Sequence, residues 1–191
     1  AVVGAAVRLF GENGWAGTGM RDVARAAGVA VETVYANFGS KADLLLAAVD
    51  VAVVGDAEPV PLRDRPEFAA LAQGSLAERA AAAARLVREI NERTRGIGRA
   101  LREAAVGDSV LEARLAAAEE RRRDDVGEGA RLVARRPVGD TERDGLWALL
   151  GMEVYALLVD RAGWSAARYE RWLADTIVRL LTAGTAEEDR A

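Results

Sequence analysis

The chain contains no cysteine and no histidine. The first absence removes disulfides, thiolate metal sites and cysteine nucleophiles, and the second removes the usual general base and the usual pH switch. Lysine occurs once, as Lys41, and every other cation is arginine in a composition rich in alanine and glycine. We read this as a GC-rich coding background that disfavours lysine codons. There is no run of about 18 apolar residues to cross a bilayer and no charged-then-apolar leader. No membrane role is therefore expected, and the expected location is the cytoplasm. The chain opens at Ala1 rather than methionine, so further residues, a basic arm among them, are expected upstream. The formal net charge of -4 argues against binding nucleic acid through bulk positive charge, because that affinity comes from Lys and Arg neutralising phosphates. Any positive contact has to be local.

What remains is a chain of 191 residues, 51% hydrophobic, long enough to bury a real core in one or two domains. Residues 18 to 41, TGMRDVARAAGVAVETVYANFGSK, read as a helix, a glycine turn and a second short helix. This is the sequence form of a helix-turn-helix. Met20, Val23, Ala24 and Ala27 fall at i, i+3, i+4 and i+7 and make one apolar stripe. Gly28 supplies the turn. In the second helix Val34 and Phe38 share one face, and Glu32, Thr33, Ala36 and part of Tyr35 share another, as a reading helix held by its back requires. Ser40 is placed to cap a helix starting at Lys41, with Asp43 at the third helical position. Amides at such a helix start, beside an ammonium group, suit a phosphate.

The rest reads as helical, with no strand pattern and no repeat. Val2, Ala6, Leu9 and Phe10 mark an opening amphipathic helix ending near Gly11 to Gly14, and Leu44, Leu45, Ala48 and Val49 continue the helix after Ser40. Residues 55–66, GDAEPVPLRDRP, carry three prolines and no periodicity, which places a linker or loop and a domain boundary there. Ser75 with Glu78 forms a capping box for a long helix through Leu86, Ile90, Ile97 and Leu101, with Gly96 and Gly98 as candidate kinks. A helix from Ser109 carries Leu111, Leu115 and Ala118 into the charged run EERRRDD, read as a solvated face, and Gly127 and Gly129 weaken its continuation. Asp140 or Thr141 opens a third long helix through Trp147, Leu150, Val154, Leu157 and Leu158 to Gly163. Ser165 caps a last one bearing Tyr169, Trp172, Ile177, Leu180 and Leu181, and 185–191 reads as a frayed tail.

The stretch AVRLFGENGWAGTGMRDVARAAGVAVETVYANFGSKADLLLAAV resembles the N-terminal domain of tetracycline-repressor-like (TetR family) regulators. The resemblance rests on Leu9, Phe10 and Gly14, on Val23 and Ala24, on the AGV turn at 27 to 29, on Thr33 to Tyr35, on Phe38, and on SKADLL at 40 to 45. A weaker similarity to the regulatory half of such proteins extends over WALLGMEVYALLVDRAGWSAARYERWLADTIVRLL. The resemblance implies an all-α protein in which a three-helix helix-turn-helix DNA-binding domain, 1–54, precedes a helical ligand-binding and dimerisation domain, 55–191. It implies a homodimer on palindromic double-stranded operator DNA and a small-molecule inducer, with repression as the expected role. No cofactor and no metal are expected.

Position by position, it places Arg21 at a base or phosphate, Val31, Glu32 and Thr33 at base edges, and Tyr35, Lys41 and Asn37 at the backbone. Two positions depart from the family pattern. Gly19 stands where many members have Thr, so a hydroxyl contact is lost or passes to Thr18. Ala30 stands where many have a capping Ser, an omission worth on the order of 1 kcal/mol. Glu32 cannot meet phosphate favourably and instead suits a cytosine amino group.

Candidates for the inducer pocket are Ile90, Leu101, Trp147, Met152 and Tyr155, which otherwise read as plain core. Leu150, Val154, Leu157, Ile177 and Leu181 are assigned to a dimer-forming helix pair. Two other classes compete. An enzyme would have to rely on Glu153 or Asp160, lone acids with no supporting constellation. A helical interaction module would keep the fold without operator binding.

Overall fold

In the computed structural model, residues 1–56, 58 and 60–188 are described, and every regular element among them is helical. The chain divides into two compact units, Ala1–Glu58 with Glu92–Ala118, and Pro59–Asn91 with Glu119–Ala191. This differs from a single cut at 54/55, because residues 92–118 return to the first unit. The return is made by two long helices whose cores lie far apart in sequence from the segments they meet.

The first unit is built on α1 (Val2–Asn13), α2 (Met20–Ala27), α3 (Val31–Phe38) and α4 (Lys41–Val54). Ala6, Phe10, Val23, Val34, Leu44, Leu45 and Ala48 are fully buried in one core. Each large member contributes about 1.5–3 kcal/mol by leaving water. Ile97, Ala100, Leu101, Ala104 and Leu111 complete that core; they come from α6 (Leu76–Ala105) and α7 (Ser109–Ala134). Gly28 sits in the left-handed region at φ 70°, where a β-carbon is penalised, and so turns α2 into α3. The glycines expected to kink α6 leave it unbroken. Gly96 instead permits close approach: a β-carbon there would lie 2.8 Å from the Gly11 carbonyl oxygen and 2.9 Å from its Cα.

In the second unit the Pro-containing stretch is a loop only in part. A 3₁₀ turn at Leu62–Asp64 and the short α5 (Pro66–Ala69) interrupt it, with proline at the first helical position, where its missing N–H is harmless. Ser75 and Glu78 form the anticipated capping box, Ser75 N and Oγ both donating to Glu78 Oε2 at 2.7 Å. Helix α7 does not weaken at Gly127 and Gly129 but runs through both. The Arg143 side chain packs over Gly127, and Leu71 and Phe68 pack over Gly129. The charged run is only partly a solvated face: Arg123 makes a two-pronged pair with Asp144 at 2.8 and 2.7 Å. Arg79, itself buried, donates to the Val133 carbonyl at 2.7 Å, placing a cation at the C-terminal end of α7, where the helix dipole favours it.

The single helix anticipated from 140 to 163 is broken. It consists of α8 (Asp140–Leu149), α9 (Met152–Tyr155) and a π-helical stretch, Ala156–Arg161. Its N-cap is Gly139, whose N–H is taken by Glu142 at 3.0 Å. At the break the Leu150 carbonyl accepts from Asn91 Nδ2 at 3.4 Å, a long-range partner that periodicity does not reveal. Ser165 caps α10 (Ala166–Glu188) through the Arg168 amide. The frayed tail anticipated over 185–191 is helical as far as Glu188, and its last three positions lie outside the described residues.

These contacts give two glycines opposite signs. Gly96→Ala should destabilise the protein by about 1–3 kcal/mol, since backbone rather than a side chain blocks the added carbon. Gly145→Ala, inside α8 with open space around the added carbon among the described residues, should stabilise it by about 0.5–1 kcal/mol. Urea denaturation of the two variants checks both signs.

Candidate nucleic-acid interface

Helices α2 and α3 diverge from the Gly28 turn and leave between them a concave surface of about 800 Å³, lined by Gly19, Met20, Arg21, Asp22, Arg25, Val31, Glu32 and Tyr35. The apolar backs hold both helices down. Met20, Val23 and Ala24 are buried on α2, Val34 is buried on α3, and Phe38 is half-buried. The fronts are open: Glu32, Thr33, Ala36 and Asn37 are exposed, and Tyr35 is 51% exposed, which rules out a core role for that ring. Ala30, in extended conformation, starts α3 without a side-chain cap.

Charges on this surface are few and partly spent. Arg25 pairs with Asp22 at 3.3 Å, while Asp22 also accepts from the Gly19 N–H at 3.1 Å. Arg21 is exposed and forms no ion pair among the described residues, so its guanidinium is available to a ligand. Asn37 donates its amide to the Thr33 carbonyl at 2.9 Å, leaving its side-chain oxygen as an acceptor. Thr18 does not replace the hydroxyl missing at Gly19; it is buried, and its Oγ1 donates to the Leu9 carbonyl at 3.0 Å.

Lys41, expected at the DNA backbone, is half-buried against Trp15. Its Nζ donates to the Trp15 carbonyl at 2.6 Å and stands 4.0 Å from the centre of the Trp15 indole. Burial there pushes its pKa below the ordinary lysine value. An ammonium has three N–H donors, and the carbonyl takes one. Ser40 caps α4 as anticipated: its Oγ accepts from the Asp43 amide at 3.1 Å and donates to Asp43 Oδ2 at 2.6 Å. The Ser40 hydroxyl, and after it Arg114, hold the Asp43 carboxyl below its ordinary pKa.

Several supporting residues carry no local sequence signal. Glu103 accepts from the Trp15 N–H at 3.1 Å, Arg114 bonds Asp43 Oδ1 at 2.9 Å, and Arg93 donates to the Ala52 and Val53 carbonyls at 3.1 and 3.0 Å. Their partners are 40 to 88 residues away in sequence. No periodicity or capping rule reaches that far.

The pocket candidates are not all brought together. Leu101 belongs to the core of the first unit, whereas Ile90 and Tyr155 belong to the core of the second. Tyr155 is buried edge-on to Tyr169, ring centres 4.8 Å apart, and burial pushes the Tyr169 hydroxyl up to about 12. Trp147 lies under the Arg122 guanidinium at 5.2 Å, and its buried indole N–H has no hydrogen-bond partner among the described residues. Met152 is half-buried.

The dimer candidates also divide. Ile177 and Leu181 are each 3% exposed and fill the core of their own unit, a correction to their placement on an outer face. The apolar stripe of α10 is used inside the protomer, and periodicity alone cannot distinguish that use from an interface. Leu157 is 53% exposed, and Leu150 and Val154 are half-buried.

Among the described residues, then, the feature that defines a class is a helix-turn-helix with its second helix presented outward. Residues 2–48 match the family profile of the bacterial regulatory proteins, tetR family. The chain resembles the solved structure of a protein assigned to the TetR-family transcriptional regulators of Mesorhizobium loti MAFF303099, with TM-score 0.72, 20% identity, and 95% and 94% of the two chains covered. It also resembles a transcriptional regulator from Rhodococcus sp. Rha1, with TM-score 0.64, 18% identity and 95% of each chain covered. A third likeness is to the multidrug binding protein EbrR complexed with imidazole, with TM-score 0.59, 21% identity, and 94% and 92% covered. No curated protein matches. Residues 2–48 thus carry a tetR-family N-terminal domain, and the chain as a whole takes a TetR-like fold.

The Asp43 site predicts a pH dependence. A carboxylate whose folded pKa is depressed contributes stability above its unfolded value, here 3.8, and loses that contribution as pH falls through the folded value. Asp43→Asn should therefore be less stable than wild type at pH 7, with the gap closing below about pH 4. Urea unfolding at pH 7, 5, 4 and 3 measures it.

Proposed function

We propose that the protein is a ligand-responsive transcriptional regulator, most simply a repressor, that binds palindromic double-stranded operator DNA as a homodimer. The observation that carries this reading is α3 itself: Val34 is sealed behind it while Glu32, Thr33, Tyr35 and Ala36 stand open in front. In this reading Val31, Glu32 and Thr33 face base edges in the major groove. Arg21, Tyr35, Asn37 and Lys41 contact the backbone, with Lys41 using donors that the Trp15 carbonyl leaves free. Half-sites are then about 34–36 Å apart or a multiple of that distance.

The segment 1–54, packed with residues 92–118, acts as the DNA-binding domain, and the rest of 55–191 as the ligand-binding and dimerisation domain. The exposed Leu157, with Leu150 and Val154, is the apolar surface offered to a second copy. The inducer is small and largely apolar, and Ile90, Trp147, Met152 and Tyr155 are its candidate contacts. The likeness to a protein described as multidrug binding supports a small-molecule effector. Release follows if the ligand prefers one dimer geometry, and complete switching needs a preference of about 5.5 kcal/mol. The protein acts in the cytoplasm and without enzymatic chemistry.

Fluorescence anisotropy against DNA obtained by random-site selection tests the reading. Wild type should bind a palindrome as a dimer, with log K falling linearly in log salt. Lys41→Ala should flatten that slope by about 1. Equal, weak binding to all sequences would favour instead a helical interaction module of the same fold.

Glu32 supplies an independent prediction. If its carboxylate accepts from a cytosine amino group, Glu32→Ala should lose about 1–3 kcal/mol of discrimination at one C·G pair and little elsewhere. Unchanged discrimination at every operator position would remove Glu32 from the reading set.

A further inference from the structure

Helix α4 is anchored at both ends by arginines from outside the 1–54 segment. At its start Arg114 grips Asp43, which together with Ser40 closes the cap ahead of Lys41. At its end the Arg93 guanidinium donates Nε to the Ala52 carbonyl and Nη2 to the Val53 carbonyl. The last carbonyls of a helix have no partner within it, and α4 has no basic residue of its own in its last turn. Arg93 supplies both the donors and the cation that the dipole favours there.

The geometry around this grip is specific. Gly55 ends α4 at φ 100°, and a β-carbon on it would stand 3.3 Å from the guanidinium carbon of Arg93. The residue that terminates the helix is thus also the one that leaves room for the arginine. Three positions further along α6 lies Gly96, against the backbone of Gly11. Positions three apart share a helix face, so the guanidinium stands beside a backbone contact that leaves little freedom to slide.

We propose that Arg93 is a positioning residue for operator recognition: by holding the C-terminal carbonyls of α4, it sets the direction of the helix that carries Lys41 and packs on α3. It touches no DNA. Its effect falls on the placement of the reading helices, and so on the half-site spacing that the protein accepts. This rests on the operator reading above.

The test uses the full chain, with the operator selected by wild type and the same operator with one base pair added or removed between its half-sites. Wild type should reject the altered spacings by about tenfold or more. Arg93→Met, folded as judged by thermal unfolding, should discriminate by less than about threefold and keep the wild-type salt slope, since no phosphate contact is lost. Arg93→Lys keeps the charge but not the two-pronged fork and should fall between them. Full discrimination by Arg93→Met overturns the proposal, and so does a salt slope reduced by about 1, which would make Arg93 a phosphate contact. Should Arg93→Met not fold, Arg93→Lys decides: reduced discrimination supports the role, and wild-type discrimination overturns it. A wild type that selects no DNA sequence defeats the operator reading and the proposal with it, whereas selection without any spacing preference defeats the proposal alone.

Discussion

The first unit depends on the burial of α4. Leu44, Leu45 and Ala48 are wholly removed from solvent, and α1, α3 and the distal half of α6 are arranged around them. Burying the two leucines contributes about 3–6 kcal/mol before ordering costs, comparable with the whole net stability of an ordinary domain. Because α3 rests on that core through Val31, Val34 and Phe38, its front can be left polar and open. The front of α3 is exposed because its back supplies the packing.

Electrostatics then act locally. The chain is acidic overall, and much of its arginine is paired: Arg25 with Asp22, Arg114 with Asp43, Arg123 with Asp144, and Arg136 with Glu142. Exposed pairs of this kind add little stability each, and their value lies in placing one segment against another. On the proposed reading face, Arg21 and the remaining donors of Lys41 are the cations left to a DNA backbone. The Lys41 contact with Trp15 holds the ammonium in one position, so in the proposed operator complex less side-chain entropy would remain to be lost at a phosphate.

Much of this was readable from residue order. The α2 stripe, the Gly28 turn, the buried Val34, the Ser40 cap and the Ser75–Glu78 box all rest on interactions within four residues, the range over which periodicity and capping operate. Errors appeared where glycine had two meanings. Gly96, Gly127 and Gly129 suggested weak helix, yet each sits where another segment of the same chain comes close, and the helices run through them. Conversely, the helix expected to be continuous from 140 to 163 breaks beside Gly151, where Asn91 takes the carbonyl of Leu150. Ile177 and Leu181 carried the pattern of an outer apolar stripe and turned out to be core, because periodicity identifies an apolar face without saying what covers it.

The amino-acid sequence by itself determined the helices of the N-terminal segment, the turn between the two that form the motif, and which face of α3 is apolar, since all three follow from spacing and from the conformational freedom of one glycine. Only the tertiary structure decided that residues 92–118 belong with that segment, that Thr18 is spent on the Leu9 carbonyl, that Lys41 lies over Trp15, and that arginines hold both ends of α4. The reason is range: hydrophobic period and side-chain caps are set by neighbours along the chain, whereas a carbonyl or carboxylate met by a residue 40 to 88 positions away exists only once the chain has folded.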